Sequence, residues 1–244
     1  SNPIDIYKIF WKIPILSFYL PEDGIIKKQM KFNFVSKEEL DEVNNKLIKE
    51  KNVEENIISK IENNRRGKYK DIRKISIGLC NKDIITYKYK KKSAFYNCFV
   101  LIMRIFYEEK YREIHIKVFN TGKLEIPGIR DDMLLIKVLD YLIKILSSIE
   151  NITLTYDPMK IDTVLVNSNF NCGFYINREK LVKILKDQYF IKCSFDSCQY
   201  PGIQCKYIYR DEFDKKYNIS FMIFRTGSIL IVGKCQDNIL YKVY

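Results

Sequence analysis

The chain is short of the residues that most catalytic and metal chemistry needs. It holds one histidine, His115, in the alternating stretch EIHIKVF, so any histidine-dependent nucleophile or metal centre would rest on a single strand residue. Its seven cysteines, Cys80, Cys98, Cys172, Cys193, Cys198, Cys205 and Cys235, form no CxxC pair, and their number is odd. That argues against a zinc site and fits the reduced thiols of an intracellular protein. Long apolar runs are missing too. The best candidate, IFWKIPILSFYL, is broken by Lys12 and Pro14, short of the ~18 residues of a membrane span. It also lacks the charged start and small-residue cleavage site of a signal peptide. There is no P-loop, GxSxG or paired-carboxylate motif, so no enzyme activity, metal or cofactor is expected, and no membrane partner.

What is abundant is positive charge and flat rings. Over 244 residues the formal net charge is +12, and aromatics reach 14%, almost all Tyr and Phe with one Trp. A nucleic-acid surface needs both. An AT-rich genome would raise the same residue types without any functional meaning. The 47% of apolar residues marks a globular chain, long enough for one large domain or two small ones.

The chain repeats itself. FNTGKLEIPGIRDD at 119–132 matches FRTGSILIVGKCQD at 224–237 without a gap. Phe119/Phe224, Thr121/Thr226, Gly122/Gly227, Ile126/Ile231, Gly128/Gly233 and Asp132/Asp237 coincide at one constant offset. Apolar alternation precedes both copies, at Ile114, Ile116 and Val118 and at Ile219, Phe221 and Ile223. Each copy reads as a strand, a tight hairpin at NTG or RTG with Gly at positive φ, a returning strand and an Asp-capped helix. Leu134, Val138, Leu142 and Leu146 mark the apolar face of the first such helix. Its second copy has only QDNILYKVY before the chain stops, and reads as truncated.

Upstream, each half reads as a strand followed by a helix. In the first half these are IYKIFWKIPILSFYL and SKEELDEVNNKLIKEK, with a Ser36–Glu39 capping box. In the second they are IDTVLVNSNF and NREKLVKILKDQ, capped by Asn177. The organisation expected is a first repeat over 1–150 with an insertion at about 49–92, and a second over 151–244. The insertion starts with a charged stretch of helical type, IKEKNVEENIISKIENN. Most of the net charge then gathers between 65 and 92, ending in Lys88, Lys90, Lys91 and Lys92 with Tyr87 and Tyr89 interleaved. That block is either an anion-binding arm or strand pair, or a solvated loop.

These residues resemble the TATA-box-binding protein (TBP) family. FYNCFVLIMRI with IHIKVFNTGKLEIPG is similar to its first repeat, and SFDSCQYPGIQCKYIY with ISFMIFRTGSILIVG to its second. The lysine-, asparagine- and isoleucine-rich divergence is similar to TBP-like proteins of large cytoplasmic DNA viruses. The resemblance implies an α+β fold, a TBP-like saddle whose two repeats form one curved antiparallel sheet with helices on its convex face. The other face is then bare and sits on the minor groove of AT-rich double-stranded DNA, with aromatic pairs wedged between base steps.

On this resemblance Phe119, Phe224 and Tyr200 match three wedges. The fourth is open between Cys98, Phe95 and Phe99, with Phe99 taken as the wedge. Any of these rings could instead be core. Arg104, Lys123, Lys206 and Arg225 match cations on the DNA backbone, and Asn167 and Asn169 match base-edge contacts. Glu125 departs from the pattern, since it would face DNA unless a cation covers it. Asp196 remains from the acidic surface that docks a TFIIB-like factor. The function implied is promoter binding and bending that recruits such a factor and RNA polymerase, in the nucleus or in a viral factory or virion. The competing functions are a protein-interaction module that has lost TATA specificity and a single-stranded nucleic-acid binder.

Overall fold

The computed structural model describes residues 3–63, 68–85, 95–150, 153–235 and 237–244, in two units, 1–156 and 157–244. The first unit opens on a helix, α1 (Ile6–Lys12), where the expected element was a strand. Asp5 caps it by accepting the Tyr7 and Lys8 N–H groups. Ile6, Ile9, Phe10 and Ile13 are all buried, a spacing close to the helical period rather than alternation. Strand β1 (Gly24–Phe34) follows. Helix α2 (Lys37–Leu47) starts at Ser36, whose Oγ accepts the Glu39 N–H at 3.3 Å. The Glu39 carboxylate reaches back to the Val35 N–H at 3.0 Å, one residue beyond the N-cap N–H of the usual capping box.

The charged stretch expected as helix is strand β2 (Val53–Asn63), paired antiparallel with β3 (Lys68–Gly78). Val53, Ile57, Ile58 and Ile61 are β-branched, and a partner strand outweighs the helical composition around them. Then come a short helix α3 (Asn81–Ile85), strands β4 (Cys98–Tyr107), β5 (Lys110–Phe119) and β6 (Leu124–Glu125), and the long helix α4 (Asp132–Glu150). The cap of α4 is Asp131, not Asp132. Its carboxylate accepts the Met133 N–H at 2.8 Å and the Leu134 N–H at 3.4 Å.

The strand order of this sheet is β2-β3-β1-β4-β5-β6. One face carries the main core, where Phe99, Leu101, Met103 and Ile105 of β4 meet Val118 and Ile116 of β5, Phe10 of α1, and Val138 and Leu142 of α4. Full burial of such a side chain stabilises by roughly 1.5–3 kcal/mol.

The second unit contains β7 (Val166–Asn171), α5 (Arg178–Asp187), β8 (Lys192–Ser194), β9 (Ile203–Arg210), β10 (Lys216–Ile223), β11 (Ser228–Gly233) and α6 (Asp237–Val243). Asn177 caps α5 by accepting the Lys180 N–H at 3.0 Å. The sheet order is β7-β11-β10-β9-β8. Its buried face packs Ile203, Cys205 and Ile223 with Leu181, Val182 and Leu185 of α5, and Ile219 and Ile231 with Ile239 and Leu240 of α6. The class is α+β with antiparallel sheets, as expected. Among the described residues the hydrogen-bonded strands form two sheets, one in each unit.

The sequence repeat is a structural repeat. Phe119 N–H donates to Lys123 O at 2.9 Å and Gly122 N–H to Phe119 O at 2.9 Å. The second hairpin repeats this, with Phe224 N–H to Ser228 O at 2.9 Å and Gly227 N–H to Phe224 O at 3.1 Å. Both glycines have positive φ, +78° at Gly122 and +82° at Gly227. A Cβ on Gly227 would also lie 2.4 Å from the Phe174 carbonyl oxygen. Gly227→Ala therefore lowers stability by about 1–3 kcal/mol. Thermal unfolding measures it, and an unchanged Tm would contradict the strained turn.

Candidate nucleic-acid interface

The second unit leaves one sheet face without a cover. Side-chain alternation puts Lys206 and Gln204 of β9, Ser220 and Met222 of β10, and Ser228, Leu230 and Val232 of β11 away from the helices. On β7 the same face carries Asn167, Asn169 and Asn171, opposite Val232, Leu230 and Ser228 respectively. All three asparagines are exposed. Asn171 is used locally, donating to Ser228 Oγ at 3.1 Å and accepting from the Gly173 N–H at 2.7 Å. Asn167 and Asn169 make no side-chain hydrogen bond among the described residues. No carboxylate stands on this face among the described residues of these strands. It is a surface of amides, hydroxyls and aliphatic groups at its centre, with Lys192, Lys206, Arg210 and Lys216 exposed towards the β8–β9 edge and the strand ends.

Tyr200 and Phe224 meet at one end of that face, their ring centroids 5.9 Å apart. Gly202 explains the Pro–Gly step beside them. A Cβ there would lie 3.0 Å from the Phe224 ring and 3.1 Å from the Tyr200 ring, so the pair closes over a residue without a side chain. Asp196 builds the loop that delivers Tyr200. Its carboxylate accepts the Cys198 N–H at 2.9 Å and its carbonyl accepts the Tyr200 N–H at 2.9 Å. Asp196 is exposed, and so is Arg225 in the hairpin.

The first unit is different, and two expected site residues change role. Phe99 is fully buried. It shares the helix-facing side of β4 with Leu101 and Met103, and its ring centroid lies 6.5 Å from that of Phe10. The residue opposite Phe119 is Cys98, buried beneath. The rings just before β4, Phe95 and Tyr96, are exposed. Register points to Tyr96 as the counterpart of Tyr200. Phe99 pairs with Val118 as Ile203 pairs with Ile223, and each tyrosine lies three residues before the first of these. The fourth ring is missed because the offset between the repeats is one residue shorter on β4 and β9 than on β5 and β10. Pairing the two hairpins strand by strand would have found it.

Arg104 is the second correction. It is 8% exposed and faces the protein, not a rim. Its guanidinium donates to Phe18 O at 2.6 Å and Glu22 O at 3.2 Å, and also to Leu20 O. Here the bare face fails as well. Ile102, on the side of β4 away from the helices, is buried with Ile26 and Cys80 under Leu16 and Phe18. The segment between α1 and β1 therefore covers the sheet from Ile102 to Arg104. Asp83 fastens the neighbouring edge, 2.7 Å from the buried Lys27 Nζ and 3.1 Å from Cys80 Sγ.

What stays partly open in this unit is the strip with Gln29, Val100, Lys117 and Phe119. Glu125 does not face solvent as a free anion, because Lys117 Nζ lies 2.7 Å from it and 5.5 Å from the Phe95 ring. Lys31 Nζ lies 5.9 Å from the Tyr96 ring. Lys123 is exposed. Lys88, Lys90, Lys91 and Lys92 lie outside the described residues. Burial pushes the Cys80 thiol up to about 11 and the Cys205 thiol up to about 12, so both are protonated at neutral pH. Among the described residues no three His, Cys, Asp or Glu side chains gather as metal ligands, and no helix is long and apolar enough to cross a membrane.

A repeated unit of antiparallel strands with helices on one face, a glycine hairpin in each copy and rings at the strand ends defines a TBP-like fold. No family model matches the chain. It is a divergent relative of a protein of Acanthamoeba polyphaga mimivirus described as TATA-box-binding protein-like, to which it is 30% identical over 190 residues. The match takes in 67% of this chain and 50% of the mimivirus protein, so the chain spans about half the length of that relative.

The closed part of the first unit is acid-sensitive. Burial raises the Asp83 carboxyl, but hydrogen bonds from Lys27 and Cys80 outweigh it and the net shift is downward. A carboxyl held low in the folded state adds stability above its unfolded pKa of about 3.9, and that stability is lost as pH falls through the folded value. Thermal melts between neutral and strongly acidic pH will show Asp83→Asn less acid-sensitive than the parent. Parallel pH profiles would remove Asp83 from this role.

Proposed function

We propose that this chain binds AT-rich duplex DNA through the minor groove and bends it, as a transcription initiation factor that recruits a TFIIB-like factor and RNA polymerase. The observation that carries this is the uncovered face of the second unit, neutral at its centre and ending in the Tyr200–Phe224 pair. A minor groove rich in A·T offers N3 and O2 acceptors and apolar sugar edges. The amides of Asn167 and Asn169 can donate to such acceptors, while Leu230 and Val232 supply apolar contact. Rings at a strand end can enter a base step, which costs a few kcal/mol and least at flexible pyrimidine–purine steps. Lys206 and Arg225, both exposed, can supply phosphate contacts, and the basic stretch 88–92 would add to that term. Pairing with Lys117 removes the objection raised by Glu125. Asp196 stays exposed, but its carboxylate is shared with its own loop, so docking of a TFIIB-like factor through it rests on a single residue.

Circular-permutation gels on an AT-rich duplex test the reading. The parent chain bends the DNA, with affinity that falls steeply with salt. Tyr200→Ala and Phe224→Ala each lose most of the bend while keeping the parent Tm within a few degrees. Phe119→Ala weakens it further in combination with Tyr96→Ala. Phe99→Ala instead destabilises by about 3–5 kcal/mol through a core cavity. Undiminished bending by the Tyr200 and Phe224 variants, or tighter binding to single-stranded DNA than to duplex, overturns the proposal.

A further inference from the structure

The two repeats carry the same hairpin but not the same surface. In the second unit the side of the sheet away from the helices is open along its strands. In the first, that side is closed from Ile102 to Arg104 by residues 16–22, packed with Leu16 and Phe18 over Ile26, Cys80 and Ile102. The closure is fastened at several independent points. Arg104 donates to four backbone carbonyls of the covering segment, those of Ser17, Phe18, Leu20 and Glu22, and its guanidinium carbon lies 6.0 Å from the Phe18 ring and 5.5 Å from the Tyr111 ring. Tyr111 Oη donates to Pro21 O. Asp23 accepts the Phe106 N–H at 2.6 Å and, through its carbonyl, the Tyr141 hydroxyl at 2.8 Å. A planar cation, 8% exposed, with four of its five N–H donors directed at fixed carbonyls is a structural clamp rather than a free cation for a phosphate.

We infer that the two repeats contact nucleic acid unequally. The second unit supplies base-edge and phosphate contacts across its whole open face. The first supplies only the strip from Gln29 to Phe119 with Tyr96, and Arg104 touches no DNA. This rests on the duplex-binding reading and adds a polarity to it. One half of the DNA site carries most of the readout, so the protein sits on an asymmetric element in one direction.

The test is a scan of a bound AT-rich duplex in which single phosphates are replaced by neutral methylphosphonates. Positions that lower affinity about threefold or more will cluster on one half of the site, since each lost contact removes one counterion-releasing pair. Arg104→Lys, which keeps the charge but not the fork, lowers Tm and leaves the affinity of the folded protein within about twofold of the parent. Equal losses at symmetric positions of both half-sites overturn the inference and leave the duplex-binding reading standing. So does an Arg104→Lys variant with unchanged Tm and weakened DNA binding. If the full chain binds no duplex even at low salt, the parent reading fails, and this one with it.

Discussion

Everything distinctive in this protein follows from the two-residue period of a β-strand. Alternate residues of β9, β10 and β11 are apolar and meet α5 and α6, which satisfies the hydrophobic demand of the second unit on one side only. The opposite residues are then free of any packing duty. In this chain they are asparagine, serine, glutamine, lysine, arginine, methionine, leucine, isoleucine and valine, a mixture that does not repel an anion. A face without carboxylates, with two donor-bearing asparagines and a ring pair at its end, is a consequence of that division.

The first unit obeys the same period with another outcome. Ile102 and Arg104 occupy positions that the repeat would leave open, yet both are buried by the segment between α1 and β1. An isoleucine on the second face invites a cover, and an arginine surrounded by carbonyl groups holds that cover down. Burial of an unpaired guanidinium would be severely unfavourable, so the carbonyls of Phe18, Leu20 and Glu22 and the arginine require each other. The duplication has therefore kept its hairpin geometry and changed the packing of one flank.

Much of this was legible beforehand, for a local reason. The hairpins depend on a glycine at positive φ and two short backbone bonds, so NTG and RTG announce them. The caps at Ser36 and Asn177 are equally local. The α4 stripe was visible as a period, although its cap is Asp131 rather than Asp132. Where a segment's state depended on a distant partner, the expectation failed. Residues 53–63 are a strand because β3 lies alongside, and 6–12 are a helix because their apolar side packs against a core they do not themselves contain.

By itself the sequence determined the duplication, the hairpins and the α+β class, because each is written in residues close together or matched copy to copy. Only the tertiary structure decided that Phe99 is buried while Phe95 and Tyr96 are exposed, what Arg104 does and which sheet face stays open. Those depend on strand register and on a covering segment more than eighty residues away from Arg104 along the chain, and neither the register nor the cover leaves a periodic signal in the residues it affects.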